Sequence, residues 1–531
     1  MASTHRALAV PELFISIFGS STGKDLNNLA LVCSSWKELA LDIKWRTSTV
    51  PLTIFLSRMA QFYCEDLNTF CEPLSEGGVL DISDEDWSNF QHYAQKVTRI
   101  RVDLALLFES VAMIKRKAAT TNQKLCPNLV YLEFENLDIE DVDESDDVDG
   151  TITILAGPEL RTLSVTGDRD VDEETIRRLD LIASISPHIT TIVATPQPDY
   201  FPDYTIFKAL RQLRIQGYAW GRVWKIISDC LLLEMLEIED WKGFSMDGEE
   251  QREDGQTDFF FPKLELLSVK TIRWNEADPA QLISASSMPR LQSLKLTVQR
   301  QTAYVQLLQQ LRKTSPLLHS LHVETRGFDF DPSVHVGDIL NFVAIRKLVL
   351  ETNFFNDAML EQIGNSFPEL RELHIGIPPT KPSTCNTNVT TWGLISVSMY
   401  CRSLERLSIS VTDSPISRGR TPSDLKDRAH KLQRLRFYHV RIEDETSEGF
   451  ADWLATFCPN VCALEVDCLS LGCHPSISKE EIDRFVEGVF KARQTQTLEP
   501  ISLSTGIHPS AQSTLGNTPS DEPKVLPPGC T

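Results

Sequence analysis

Apolar residues recur along most of the chain in one order: an apolar position, two variable positions, a second apolar position, one variable position and a third apolar position. Clear copies are LVYLEF at Leu129, LELLSV at Leu264 and LERLSI at Leu404. Self-similarity at a regular period indicates a repeat protein. The first apolar position falls about every 28 residues, at Val97, Leu129, Leu160, Ile189, Leu210, Leu233, Leu264, Leu291, Leu318, Ile345, Leu370, Leu404, Leu432 and Val461.

Each copy predicts one β-strand followed by one helix. The later apolar positions alternate with variable ones, as in a strand with one buried face, and Leu307, Leu308 and Leu311 share one face of a helix. Three apolar residues, worth about 1.5–3 kcal/mol each when buried, cannot hold one copy folded, so the copies must stack. The pattern is similar to that of leucine-rich repeats. It predicts an α/β fold, an irregular solenoid with a curved parallel sheet and outer helices.

The segment before the repeats predicts a small helical module. Pro11 opens a first helix, Asp25 is placed to cap a second, and Ser35 with Glu38 has the spacing of a capping box for a third. Apolar residues point in every direction from the first of these helices, and a module this short cannot cover them all. We therefore expect it to bind a partner through its surplus apolar surface.

The module resembles an F-box, on the residues Pro11, Glu12, Leu13, Ile17, Phe18, Asp25, Leu26, Val32, Cys33 and Trp36. The resemblance implies docking on the Skp-type adaptor of a cullin-based ubiquitin ligase. By the same resemblance, the docking surface would comprise Pro11, Leu13, Ile17, Leu29, Val32 and Trp36. The alternative is that this segment only covers the first repeat, because solenoids need polar-faced ends.

We expect the chain to divide into an F-box helical module over residues 1–48, a linker and helical cap over 49–96, a solenoid of about 14 units over 97–493, and a disordered tail over 494–531. The solenoid carries an acidic insert at 135–150, which we interpret as a solvated loop. It is not expected to bind calcium, because it lacks the glutamate that a calcium loop needs at its twelfth position.

The variable residues of each strand are expected to face the concave surface and to contact a target protein, because side chains alternate across a strand. Early copies present acidic residues and late copies present basic ones, which suggests a groove with opposite charge at its two ends and a charged protein ligand. Loops could carry recognition equally well. The candidates are Tyr131, Glu133, Glu237, Glu239, Arg406, Arg434, Arg436 and Tyr438.

Composition narrows the class of partner. A formal net charge of −22 disfavours nucleic acid and anionic membranes, both of which attract basic surfaces. No apolar run is long enough to span a bilayer, and the 12 cysteines are not spaced as in a secreted disulfide scaffold. We expect a soluble protein of the cytoplasm, the nucleus or both.

No motif indicates reactive chemistry. Cys458, Cys462 and His474 lie near one another but lack the spacing of a zinc site, and no glycine-flanked nucleophile is present. We expect no catalytic residue, metal or cofactor. The favoured interpretation is a substrate-recognition subunit of a ubiquitin ligase that binds a Skp-type adaptor, through it a cullin, and an unidentified target protein. The alternative is a leucine-rich-repeat scaffold without ligase activity.

Overall fold

The structure is a computed structural model of the 531-residue chain. It describes residues 16–19, 21–47, 49–52, 84–103, 117–118, 120, 124–135, 145–166, 173–195, 202–216, 221–241, 259–271, 283, 286–298, 301–325, 339, 342, 344–351, 355–376, 389–413, 431–442, 450, 453–455, 457–467, 469–471 and 479–498.

The described elements alternate between strands and helices. The strands are β1 (Val50–Pro51), β2 (Arg99–Asp103), β3 (Tyr131–Glu135), β4 (Thr162–Thr166), β5 (Thr191–Ala194), β6 (Gln212–Gln216), β7 (Met235–Trp241), β8 (Phe259–Phe260), β9 (Leu266–Thr271), β10 (Ser286–Ser287), β11 (Ser293–Val298), β12 (Ser320–Thr325), β13 (Lys347–Glu351), β14 (Glu372–Ile375), β15 (Arg406–Asp413), β16 (Arg434–Ile442), β17 (Ala463–Val466) and β18 (Leu469–Leu471). The α-helices are α1 (Gly23–Ala30), α2 (Ser34–Thr47), α3 (Asp84–Ala94), α4 (Ser145–Leu155), α5 (Glu173–Ile185), α6 (Gly221–Ser228), α7 (Gln301–Thr314), α8 (Asp357–Ser366), α9 (Thr391–Tyr400) and α10 (Lys479–Leu498).

Sixteen of the described strands form one sheet in which neighbours pair in parallel, from β1 at one edge to β17 at the other. A strand begins two residues after each first apolar position of the repeat, as in Leu291 before Ser293. Each copy also joins the preceding one through a shared acceptor: the N–H groups of Arg161 and Thr162 both donate to the carbonyl of Val130, at 2.9 Å. β8 and β10 form a separate parallel pair.

The apolar positions of the repeat build one continuous core. Leu291, Leu294 and Leu296 of a central copy are all fully buried, and in-register pairing places Leu294 beside Leu267 of one neighbour and Leu321 of the other. Leu307, Leu308 and Leu311 of α7 are buried against the same core. The predicted α/β solenoid with a long parallel sheet is therefore confirmed, and its strands expose one open face that carries the variable residues.

Two connections differ from the expected pattern. Val50 and Pro51 pair with Ile100 and Arg101, so the sheet begins within the segment that we interpreted as a linker. Between β5 and β6, the described connection contains a 3-10 turn, Tyr204–Ile206, instead of an α-helix. Only 21 residues separate Ile189 from Leu210, which leaves too little chain for a strand, two turns and a full helix.

Residues 145–150 of the acidic insert and 494–498 of the expected tail are helical, which differs from the prediction. Residues 145–150 of the insert belong to α4, whose Ile152 and Leu155 are buried in the core, so this part is not a loop. At the other end, α10 extends to Leu498, past the predicted start of the tail at 494. Residues 499–531 lie outside the described residues.

Helices α8 and α9 approach closely at Gly393, where an added methyl group has no room. An ideal Cβ there would lie 2.5 Å from Asp357 Oδ1 and 2.7 Å from Leu360 Cδ1. Asp357 cannot easily move, because it accepts hydrogen bonds from the N–H and hydroxyl of Thr390 at 2.8 and 2.6 Å.

We expect Gly393→Ala to lower the free energy of unfolding by about 1–3 kcal/mol, since overpacking outweighs the gain of up to about 1 kcal/mol in helix propensity. Gly488→Ala is the matched control, because a Cβ at this position of α10 would meet nothing within 4 Å. Urea denaturation of both variants measures the difference. Equal midpoints for the two variants would contradict the predicted clash.

Candidate functional site

Helix α1 of the N-terminal module begins with a capping box. The N–H of Asp25 donates to the hydroxyl of Thr22, and the N–H of Thr22 donates to the Asp25 carboxylate, both at 3.3 Å. Thr22 is therefore the N-cap and Asp25 the third helical residue, which corrects the predicted cap at Asp25. Helix α2 begins at Ser34, one residue before the position predicted for its cap.

The N-terminal helices share a small core that is separate from the core of the solenoid. Leu26, Ala40 and Ile43 are buried in it, and the rings of Phe18 and Trp36 pack beside it with centroids 6.2 Å apart. Leu29, Ala30 and Leu39 are only partly buried. Within the described part of the module, a core of this size leaves apolar side chains uncovered.

Three large apolar side chains flank α1 in contact with solvent: Ile17 is 52%, Leu31 85% and Val32 61% exposed. Two of them, Ile17 and Val32, belong to the predicted docking residues. Leu29 and Trp36 are half-buried, and Pro11 and Leu13 lie outside the described residues. Leu31 was not predicted, because it is the C-cap of α1 and helical periodicity does not extend to it. We call Ile17, Leu31 and Val32 the exposed apolar set.

Helix α2 connects the module to the solenoid. Its Ala40 and Ile43 lie in the small core, whereas Trp45 is buried in the solenoid core with its ring centroid 6.2 Å from that of Tyr93. The hydroxyl of Thr98 donates to the Arg46 carbonyl at 2.6 Å. Because one helix contributes to both cores, the two parts are held in a defined relation.

Each candidate on the early strands lies beside a neighbour that compensates its charge or covers its ring. The guanidinium of Arg99 lies 4.4 Å from the ring centroid of Tyr131, and the Tyr131 hydroxyl donates to Glu133 at 3.2 Å. Burial, and then the charge of Glu133, raises the pKa of Tyr131. Glu237 accepts from Arg214 at 2.5 Å across the strand pair, and Glu239 accepts from Gln216 at 3.3 Å.

The late strands carry the predicted arginines. Arg406 lies 2.9 Å from Glu372, and Arg436 donates two hydrogen bonds to Asp467 at 3.0 and 3.1 Å. Arg436 also lies 5.5 Å from the ring centroid of Tyr438. Arg434 has no ion pair within the described part of the chain.

The expected division into an acidic end and a basic end is not what the structure shows. Arg99 and Arg101 lie on β2 at the early end, and Glu465 and Asp467 lie at the late end. Both charge signs therefore occur at both ends of the open face, and cross-strand register decides which of them are compensated.

The described residues include no group of three or more histidine, cysteine or acidic side chains that could hold a metal ion. Cys458, one of the cysteines near the C-terminus, is buried in the core, where burial raises its pKa to about 12. Among the helices in the described ranges, none combines the length and apolar character that a membrane crossing requires.

Comparison with known proteins identifies the N-terminal module. Residues 11–50 match the F-box-like family model. No curated protein matches the sequence. Similar solved structures include an internalin of Listeria monocytogenes, at 12% identity and a TM-score of 0.32 over 59% of this chain and 81% of that chain. A leucine-rich-repeat protein of Leptospira interrogans shares 13% identity at a TM-score of 0.33, over 84% of this chain and 99% of that one. The chain thus carries an F-box-like domain at residues 11–50, followed by a long parallel sheet of solenoid type.

Proposed function

We propose that the chain is the substrate-recognition subunit of a Skp–cullin–F-box type ubiquitin ligase. The observation that carries this proposal is the exposed apolar set on the F-box-like domain. Leaving each of these side chains in water forgoes about 1.5–3 kcal/mol. Docking on a Skp-type adaptor would recover that free energy, with Ile17, Leu29, Leu31, Val32 and Trp36 as the contact residues and Pro11 and Leu13 as further candidates.

In this mechanism the chain acts by placing a target and not by bond chemistry. The solenoid holds a protein target on its open face, while the adaptor and cullin hold the ubiquitin-transferring enzyme. A rigid connection raises the effective concentration of target lysines at that enzyme. The role of α2 in both cores supports such a connection, because it limits rotation of the F-box-like domain relative to the sheet.

We expect Val32→Asp to weaken binding of a purified Skp-type adaptor at least about 30-fold, because a charge would enter the centre of an apolar interface where single hot-spot residues carry 2 kcal/mol or more. Leu231→Asp is the matched control, since Leu231 is an equally exposed apolar residue, at 60%, but belongs to the solenoid. Calorimetric titration of the adaptor measures both affinities. Similar affinities for the two variants would contradict adaptor docking at this surface.

Adaptor docking alone does not separate a ligase subunit from a scaffold that binds partners without ubiquitin transfer. A reconstituted transfer assay distinguishes the two. The purified chain, with a target protein cross-linked to it, is mixed with the adaptor, the cullin and its RING partner, and a ubiquitin-conjugating enzyme loaded with ubiquitin. A ligase subunit is expected to support ubiquitin transfer that is lost in Val32→Asp and kept in Leu231→Asp. Adaptor binding without cullin recruitment would support the scaffold.

A further inference from the structure

A row of charged residues crosses four adjacent strands of the open face. Lys347, Glu372, Arg406 and Arg434 occupy matching register positions at the starts of β13, β14, β15 and β16. Lys347 Nζ and Arg406 Nη1 both lie 2.9 Å from the Glu372 carboxylate. The row thus contains three cations and one acidic group, and that group contacts only Lys347 and Arg406.

Arg434 is the least compensated of these cations. It pairs in register with Arg406 on one side and with Ala463 on the other, so neither cross-strand neighbour supplies a carboxylate. Like charges directly opposite each other in a sheet are destabilising. An anion placed between the two guanidinium groups would remove that repulsion.

The acidic residues on and just after β17, Glu465 and Asp467, do not supply that anion. Asp467 is engaged by Arg436 through two hydrogen bonds, at 3.0 and 3.1 Å, and Glu465 lies 3.6 Å from the same guanidinium. Both carboxylates therefore compensate Arg436, two residues along β16 from Arg434. The positive charge of Arg434 therefore stays available to a ligand, beside Arg406, which also contacts Glu372.

An aromatic side chain lies four residues further along β16 than Arg434, where this strand is irregular. Pairing with β15 shifts between Ile409 and Ser410, which leaves Tyr438 as the extra residue of a bulge. A bulge redirects its side chain. The Tyr438 ring lies over Gly376, where an added Cβ would be 3.5 Å from the ring and where φ is +115°, a conformation that side chains rarely adopt.

We propose that the surface formed by Lys347, Glu372, Arg406, Arg434 and Tyr438, here named the Arg434 surface, binds an acidic segment of the target protein. One carboxylate or phosphate group of that segment lies between the guanidinium groups of Arg406 and Arg434, and the Tyr438 ring, four residues further along β16, contacts a residue further along the same segment. Half-buried aromatic side chains and arginines are the residues that most often dominate protein interfaces. The inference rests on the proposed function, because it specifies the target that the solenoid presents.

The negative net charge of the chain favours this surface over the rest of the protein as the binding site for an acidic segment. At a net charge of −22, most of the protein repels an acidic peptide at long range. A local excess of positive charge is then the place where such a peptide can bind, and bidentate contacts between arginine and a carboxylate or phosphate give it geometric specificity.

The test uses the full chain and fluorescein-labelled hexapeptides of glutamate, of phosphoserine alternating with glycine, and of serine. Fluorescence anisotropy should show binding of the two acidic peptides but not of the serine peptide. We expect Arg434→Ala to weaken that binding at least about tenfold, because hydrogen bonds to charged groups contribute about 1.5–3 kcal/mol. Arg434→Lys should recover part of it. Arg214→Ala is the control, because it removes one positive charge from the same face at a site already paired with Glu237.

The outcomes separate the alternatives. Loss of binding in Arg434→Ala but not in Arg214→Ala supports the proposal, and the tighter of the two acidic peptides identifies the group as phosphate or carboxylate. Equal loss in both variants, or equal binding of acidic and serine peptides, overturns it. Adaptor affinity is measured on the same proteins. If the adaptor binds and the acidic peptides do not, only this inference fails; if the peptides bind through Arg434 and the adaptor does not, only the proposed function fails.

Discussion

Asp149→Ala should lower the free energy of unfolding of the early solenoid by about 3 kcal/mol, because it removes a carboxylate from a buried charge. The side chain of Arg178 is 1% exposed, and its Nε lies 3.8 Å from Asp149 Oδ1. Arg177 reaches the other oxygen of the same carboxylate at 2.5 Å. Breaking a buried pair costs about 3–5 kcal/mol, and the long Nε–Oδ1 distance places this one at the lower end.

Urea denaturation followed by circular dichroism measures the loss, and hydrogen exchange should localise it to α4 and α5, because solenoid repeats depend mainly on their neighbours. The control is Glu159→Ala, whose carboxylate lies 3.4 Å from Arg161 with both side chains exposed, and we expect a change below about 1 kcal/mol. Asp149→Leu combined with Arg178→Met should restore much of the stability. Equal midpoints for Asp149→Ala and Glu159→Ala would show that the buried pair contributes nothing.

The same ion pair explains why the acidic insert was predicted incorrectly. A run of acidic residues indicates a solvated loop when only its neighbours in sequence are considered. The residues that hold α4, Arg177 and Arg178, lie on the next helix, and no local pattern shows that Arg178 is buried. The strands were predictable because their alternation and the burial of every first apolar position are encoded locally, copy by copy.

For the interaction surfaces, the sequence predicted which residues are exposed but not which residues pair with them. Strand alternation identifies which residues face solvent, so Glu237 and Arg434 were found. Their partners follow from register, which joins residues such as Arg214 and Glu237 across 23 positions, and from the bulge that redirects Tyr438. Sequence therefore predicted the exposed charged residues but could not show that Glu237 is paired while Arg434 lacks an acidic cross-strand neighbour.

Trp45→Ala should loosen the join between the F-box-like domain and the solenoid while leaving adaptor binding nearly intact. Trp45 belongs to α2 but is buried in the solenoid core, at 7% exposure, beside Tyr93. Replacing a buried tryptophan by alanine costs about 3–5 kcal/mol. The loss should fall on the end of α2, on α3, on the edge strand β1 and on its neighbour β2, where hydrogen exchange should become faster.

The effect of Trp45→Ala on adaptor binding and on ubiquitin transfer shows whether α2 acts as a rigid spacer or as a flexible tether. The exposed apolar set lies around α1, away from Trp45, so adaptor affinity should stay within about threefold, as expected for distant sites that share no partners. Ubiquitin transfer to a bound target should nevertheless fall, because a loosened join lowers the effective concentration of target lysines. Trp392→Ala, at a tryptophan that is 52% exposed on α9, should leave both measurements unchanged. If Trp45→Ala speeds hydrogen exchange at the join but transfer proceeds at the wild-type rate, placement by a rigid α2 is not part of the mechanism.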